Sequence, residues 1–372
     1  MANDAGPPLG GKRSLTIEGK LLRLAAIGAV MLCTAGAFAY VGGWMSPDRL
    51  TQARMIDALQ AVGGDHAGFR RNHAKGICVS GWFDGNGAAL PWSKAAVFTL
   101  GRVPLIGRFA LTGGMPFQVD APATVRSMAL QFLPPGGEEW RTGMNNIPVF
   151  PVNSAQGFYD QLLASRPDPA TGKPDPAALK EFMALHPETV RAVALIKARV
   201  VSSGFADSSY NSLDAFRLIN AAGVSVPVRW ATVPLQPVVT EGETPPSHRG
   251  ENYLFDDLIA QIQQHPLRWR LVLTIGQPND PTDDATLPWP ESRRHVDAGI
   301  VTVDRVYSED TGPCTDVNYD PLMLPSGIEA SDDPLLSARS AAYARSFTLR
   351  AGEKGQKAPS AVSAGDVQAG AK

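Results

Sequence analysis

From Gly76 onward, short β-type runs follow one another with Gly- and Pro-rich turns between them: Ile77 and Val79, Ala95–Thr99, Arg108–Leu111, Val125–Phe132, Ile147–Val152, Val224–Val233 and Trp269–Ile275. The 36 glycines and 31 prolines supply the breaks. Helical spacing occurs between some of these runs, at Pro176–Leu185 and Leu254–Gln264. Parallel strands need a long crossover after each strand, so many strands with few helices imply an antiparallel sheet or barrel decorated with helices, an α+β chain. At 372 residues and 44% hydrophobic, the chain can bury a full core.

The N-terminal part obeys different rules. Lys12, Arg13, Lys20 and Arg23 precede an uncharged run from Leu24 to Trp44. As a helix, that run is long enough to cross about 30 Å of hydrocarbon. Basic residues on one flank keep residues 1–23 as a cytoplasmic tail and make 24–44 a transmembrane anchor, with the rest delivered outside, in a bacterium to the periplasm. Ala37-Phe38-Ala39 also fits a small-x-small cleavage site, so a removed signal segment is the alternative. The continuation through Val41 and Trp44 favours the anchor. Ser46-Pro47 opens a helical pattern, Leu50, Ala53, Ile56, Leu59 and Val62, which Gly63-Gly64 ends. Residues 351–372, rich in Gly, Ala, Ser and Lys without periodicity, are expected to be a disordered tail.

A net charge of −2, with cations scattered among acids, gives no footprint for nucleic acid. Cys33, Cys78 and Cys314 are too few and too widely spaced for a disulfide framework or a thiolate metal site. A single Cys78–Cys314 pair stays open for an oxidising compartment.

Two distant stretches carry chemistry. Arg70-Arg71-Asn72-His73-Ala74-Lys75-Gly76 puts an imidazole among cations just ahead of a strand. Arg339-Ser340-Ala341-Ala342-Tyr343 puts an arginine and a tyrosine four residues apart, on one face of a helix. An arginine beside a phenol favours the phenolate, whose parent pKa is about 10, and phenolate is a hard ligand for ferric iron. Arg108-Phe109, Gly143 to Phe150, Asn318 to Gly327 and Asp333 to Tyr343 lie in order between and around them. With these motifs the chain resembles the catalase superfamily over about residues 46–350, and within it the short membrane-anchored branch of catalase-related peroxidases.

The resemblance implies a catalase-like antiparallel β-barrel with surrounding helices, preceded by one N-terminal transmembrane helix, and a haem cofactor, expected to be haem b. On the distal side it makes His73 the proton-moving base and Asn145 the residue that orients bound peroxide. Phe158 would stack on the haem and Phe150 would line the channel. On the proximal side Tyr343 would bind the iron, with Arg339 holding it as phenolate. Arg70, Arg108 and Arg350 would pair with the propionates. The implied activity is a peroxidase that reduces organic hydroperoxides or hydrogen peroxide and leaves an oxidised ferryl haem for an unspecified electron donor to restore. A hydroperoxide isomerase of the allene-oxide-synthase kind and a non-enzymatic haem-binding or peroxide-sensing module are the alternatives. Three departures from the family pattern stand out. Ala110 replaces the serine that supports the distal histidine, Asn72 replaces a valine, and Ala231 is the nearest equivalent of a missing proximal histidine. Asn72 and Ala110 lead us to expect weak disproportionation of hydrogen peroxide.

Overall fold

The computed structural model describes residues 16–42, 45, 49–136, 138–240 and 250–369. Its centre is a ladder of ten antiparallel strands: β1 (Gly76–Gly85), β2 (Gly101–Leu111), β3 (Arg126–Phe132), β4 (Trp140–Asn145), β5 (Tyr210–Asn211), β6 (Phe216–Ile219), β7 (Ser225–Pro234), β8 (Leu267–Ile275), β9 (Arg294–Tyr307) and β10 (Ile328–Ala330). The order β7-β5-β4-β3-β2-β1-β9-β8 closes on itself because β7 also pairs with β8, while β6 and β10 extend outward from β7. Closure pairs every strand of the eight on both sides and leaves no edge open.

Side chains alternate across this wall. On β2 to β4, Phe109, Met128, Leu130, Phe132 and Trp140 point into a dry core with Phe83, Trp230 and Trp269. Phe132 stacks on Trp140 at 4.8 Å, and Trp140 meets Trp230 edge-on at 5.0 Å. Truncating one such aromatic to alanine costs roughly 3–5 kcal/mol. The barrel is therefore filled, and a ligand must sit outside it. The opposite face of the same strands carries Arg108, Ala110, Ser127, Ala129, Gly143 and Asn145, all bordering one cavity.

The helices are α1 (Ile17–Val41), α2 (Gln52–Gly63), α3 (Ala155–Ala164), α4 (Pro176–Leu185), α5 (Pro187–Ala198), α6 (Tyr253–Gln264), α7 (Pro334–Gly352) and α8 (Ala364–Ala369). Helix α1 has no buried residue and a mean hydropathy of 2.0 in its most apolar window. It is long and apolar enough to cross a membrane, a test that a signal sequence also meets. Residues 52–372 form a compact unit of their own. Lys12, Arg13, Trp44 and the Ser46-Pro47 helix start lie outside the described residues.

Several sequence expectations need correction. Ala95–Thr99 is not a strand but a 3-10 turn at Ala96–Phe98, because Ala95, Val97 and Phe98 are all buried instead of alternating. Ile147–Val152 keeps alternating burial but joins no ladder, since Pro148 and Pro151 have no N–H to donate. Strand β9 is missed in the sequence because Asp297, Gly299 and Asp304 interrupt its apolar residues; a Cβ at Gly299 would lie 2.2 Å from the Asp84 carbonyl oxygen. The C-terminal segment expected to be disordered is folded up to residue 369: Val362 is buried in the core and Gln263 holds the Val367 carbonyl at 2.6 Å. A few anchored residues fix it despite its polar composition. The open cysteine pair is formed, as a disulfide between Cys78 and Cys314.

Candidate functional site

Outside the barrel wall lies a cavity of about 370 Å³, floored by β2–β4 and covered by α2, α3 and α7. The candidate distal, proximal and cationic residues all border it: Arg70, His73, Arg108, Asn145, Phe150, Phe158, Arg339, Tyr343 and Arg350.

The distal wall is built by the segment that leads into β1. His73 has φ 55°, in the left-handed region where a Cβ is strained. Asn72 stabilises that turn: its side-chain oxygen accepts from the His73 N–H at 2.9 Å and from the Gly113 N–H at 3.0 Å. The amide that departs from the family pattern thus bonds to the His73 backbone and braces it. Two residues on, the buried Lys75 ammonium donates to Asp120 at 2.7 Å and to the Gln118 carbonyl at 2.8 Å, which pins the start of β1. The His73 ring reaches Ser127 on β3, with Nδ1 2.9 Å from Oγ. Ser127 in turn donates to Asn145 Oδ1 on β4. Ala110, Ser127 and Asn145 are successive cross-strand partners, so the hydroxyl missing at Ala110 is supplied one strand away. Burial first, then the charges of Arg108, Arg339 and Arg70, push the His73 imidazolium down to about 3. The ring is therefore a neutral base. Phe150 and Phe158 meet at 5.7 Å on the same side.

The proximal wall is α7. Asp333 caps it, accepting from the Leu335 N–H at 2.9 Å, and Pro334 occupies the first helical position. Arg339, Tyr343, Ser346 and Arg350 recur at helical spacing on the cavity face, with Ala338 and Ala342 keeping that face low. The Arg339 guanidinium lies 6.0 Å from the Tyr343 ring centre. Arg339 also donates to the buried Asp214 carboxylate. Asp214 arrives there through a tight turn at Leu213, which has φ 66° and a 2.9 Å bond from the Asp214 N–H to the Ser212 carbonyl. Ala231, taken from the sequence as the nearest proximal equivalent, sits in β7 opposite Asn211 and Val272. The partner of Arg339 comes instead from the β5–β6 connection.

One end of the cavity is cationic. Arg108 donates to both oxygens of Glu309, at 2.9 and 2.7 Å, and Arg70 donates to the same carboxylate at 3.2 Å. Burial disfavours this carboxylate, but Arg108 and Arg70 outweigh it and hold Glu309 at about 2. Arg70 also holds the carbonyls of Cys314 and Val317, each at 3.1 Å. The Arg350 guanidinium donates to the Thr315 carbonyl through one nitrogen, and its buried Nη2 has no hydrogen-bond partner among the described residues. Burial lowers Arg350 to about 9. Ser127, Asp214 and Glu309 carry no motif; only strand register and the path of the loops bring them to the site.

The donor set fits a flat dianionic group such as haem. Ala129 and Gly143 on one side and Ala338 and Ala342 on the other leave room for a plane. Among the described residues the Tyr343 hydroxyl makes no hydrogen bond, and the buried Arg350 Nη2 has none either, a donor that suits an anionic group.

Comparisons with known proteins agree with this geometry. The family described as catalase matches residues 41–369. A catalase-related peroxidase of Synechococcus elongatus is 35% identical over 90% of this chain and 98% of its own length. A second protein of that name, from Mycolicibacterium paratuberculosis, is 32% identical over 83% of this chain and 98% of its own. A catalase of Pseudomonas syringae pv. syringae is 27% identical, and the match spans only 64% of that longer protein. Among solved structures, a fungal catalase superposes with a TM-score of 0.68 at 19% identity, covering 81% of this chain and 62% of the other.

Proposed function

The chain belongs to the catalase family, and from that premise we propose that it is a haem-dependent peroxidase that reduces alkyl hydroperoxides as well as hydrogen peroxide and disproportionates the latter weakly. Its relatives make it an oxidoreductase acting on peroxide. The observation that carries the finer reading is a single cavity with an imidazole and an amide on one wall, a phenol on the other and arginines at one end.

Bound haem would supply a ferric iron that takes up the two oxidising equivalents of the peroxide. Tyr343 would hold that iron, with the Arg339 guanidinium favouring its phenolate. Arg350, with Arg70 and Arg108 behind it, would hold the propionates. His73 Nε2 takes the proton from the incoming hydroperoxide and hands it to the leaving oxygen as the O–O bond breaks, so that alcohol or water departs uncharged. Asn145 orients the bound substrate from the neighbouring strand.

The distal approach is lined by Met55, Ile56, Leu59, Phe150, Phe158 and Ile196, which suits a substrate with an alkyl body. Weak disproportionation rests on the same wall, because a second hydrogen peroxide needs a small polar site to hold it as reductant. With α1 as its anchor and a buried disulfide in the folded body, the protein would work in an oxidising compartment, the periplasm. The test is steady-state turnover of hydrogen peroxide and of a bulky alkyl hydroperoxide, each with and without a reducing dye. Dye-dependent consumption, faster for the alkyl substrate, is expected. Rapid oxygen release without dye, or rearranged products with no reductant consumed, would overturn it.

A further inference from the structure

The hydrogen bonds at the distal wall leave little freedom over where protons reside. Ser127 has one hydroxyl hydrogen and Asn145 Oδ1 has none, and the two oxygens are hydrogen-bonded. The hydrogen must therefore lie between them, which turns an oxygen lone pair toward His73 Nδ1, 2.9 Å away. Nδ1 then carries the hydrogen of that contact, and Nε2 is the basic nitrogen. Among the described residues Nε2 makes no hydrogen bond, and His73 borders the cavity.

We propose that Ser127 is the positioning residue of the distal wall: through one hydroxyl it sets the tautomer of His73 and the orientation of the Asn145 amide. It acts from β3 at the place where Ala110 on β2 offers only a methyl group. Directly opposed residues have Cβ atoms about 4.5–5.5 Å apart, so a hydroxyl on either strand serves the same ring. Both positions are nearly sealed, at 8% exposure for Ser127 and 2% for Ala110, so water is a poor substitute. Without the hydroxyl, His73 is free to place its hydrogen on Nε2, where it cannot accept a proton, and the amide of Asn145 is free to turn. Ser127 gives up no proton overall: the one taken from the hydroperoxide enters at Nε2 and leaves from Nε2.

This inference rests on the peroxidase reading, so its test includes a measurement independent of turnover. Cyanide reaches ferric haem as the acid and must surrender its proton to the distal base. The variants are Ser127→Ala, Ser127→Thr and the double variant Ser127→Ala with Ala110→Ser, all full-length and haem-loaded. Ser127→Ala should bind cyanide and cleave peroxide at least about tenfold more slowly at unchanged haem content, the low end for losing a partner that orients a functional histidine. Ser127→Thr should stay close to wild type, and the double variant should regain most of the loss. Wild-type cyanide kinetics in Ser127→Ala would overturn the proposal, as would a double variant as slow as the single one. Should Ser127→Ala emerge without haem, recovery of haem and cyanide binding in the double variant supports it, and no recovery overturns it. An inactive wild type that still binds cyanide would remove the peroxidase reading and leave this comparison intact.

Discussion

His73 combines strain, burial and neutrality. Its backbone is held left-handed by Asn72, and burial with three arginines keeps its ring uncharged down to about pH 3. A neutral ring is what the proton transfer needs, so His73→Ala should lower peroxide turnover by about 10²–10⁴-fold while the haem absorption spectrum stays in place. The same burial has a stability cost in acid. An ordinary histidine takes a proton near pH 6.5, and in the unfolded chain His73 does so, whereas in the fold it waits until about 3. Stability is therefore full above about pH 6.5 and declines by about 1.4 kcal/mol per pH unit below it. Glu309, held at about 2 against an ordinary 4.5, adds a loss of the same sign lower down. Thermal midpoints measured from pH 7 to 4 should fall, and fall less steeply in His73→Ala. Across the cavity, Tyr343→Phe removes the hydroxyl that faces it; the purified variant should retain little haem, and a full, unshifted haem spectrum would count against Tyr343 as the ligand.

At the scale of elements, α7 and the segment before β1 depend on one another. Glu353 at the end of α7 grips Arg71 at 2.6 and 2.8 Å and the Gly68 N–H at 2.8 Å, so the distal segment is fastened to the helix that carries Tyr343. The segment from Ser308 to Tyr319 closes the cationic end: it brings Glu309 and three carbonyls to the arginines and is tied to β1 by the Cys78–Cys314 disulfide. Glu309 neutralises the buried Arg108 and the largely buried Arg70 in the haem-free fold but competes there with a dianionic ligand. Glu309→Gln should consequently have opposite effects on the two states. The haem-free protein should lose roughly 3–5 kcal/mol, the typical consequence of breaking a buried ion pair, while haem affinity, followed by absorbance titration, should rise. A fall in both quantities would mean that Glu309 only supports the arginines.

The whole molecule divides at residue 51 into an N-terminal part with an exposed apolar helix and a folded barrel unit. Removing residues 1–45 should give a soluble, haem-loaded protein with the turnover of the full chain; persistent sedimentation with membranes would show a second attachment. Features with a local cause were legible from the sequence: the apolar length of α1 and the four-residue spacing that puts Arg339 and Tyr343 on one face of α7. Each depends on residues within a few turns of one another, and helix geometry alone converts spacing into direction. The partners those residues find were decided only in three dimensions. His73 meets Ser127 across 54 residues, Arg339 meets Asp214 across 125, Arg108 meets Glu309 across 201, and Cys78 meets Cys314 across 236. A hydroxyl one strand over serves the same ring as one at the expected position, and strand register, which no local pattern encodes, determines which of them is present.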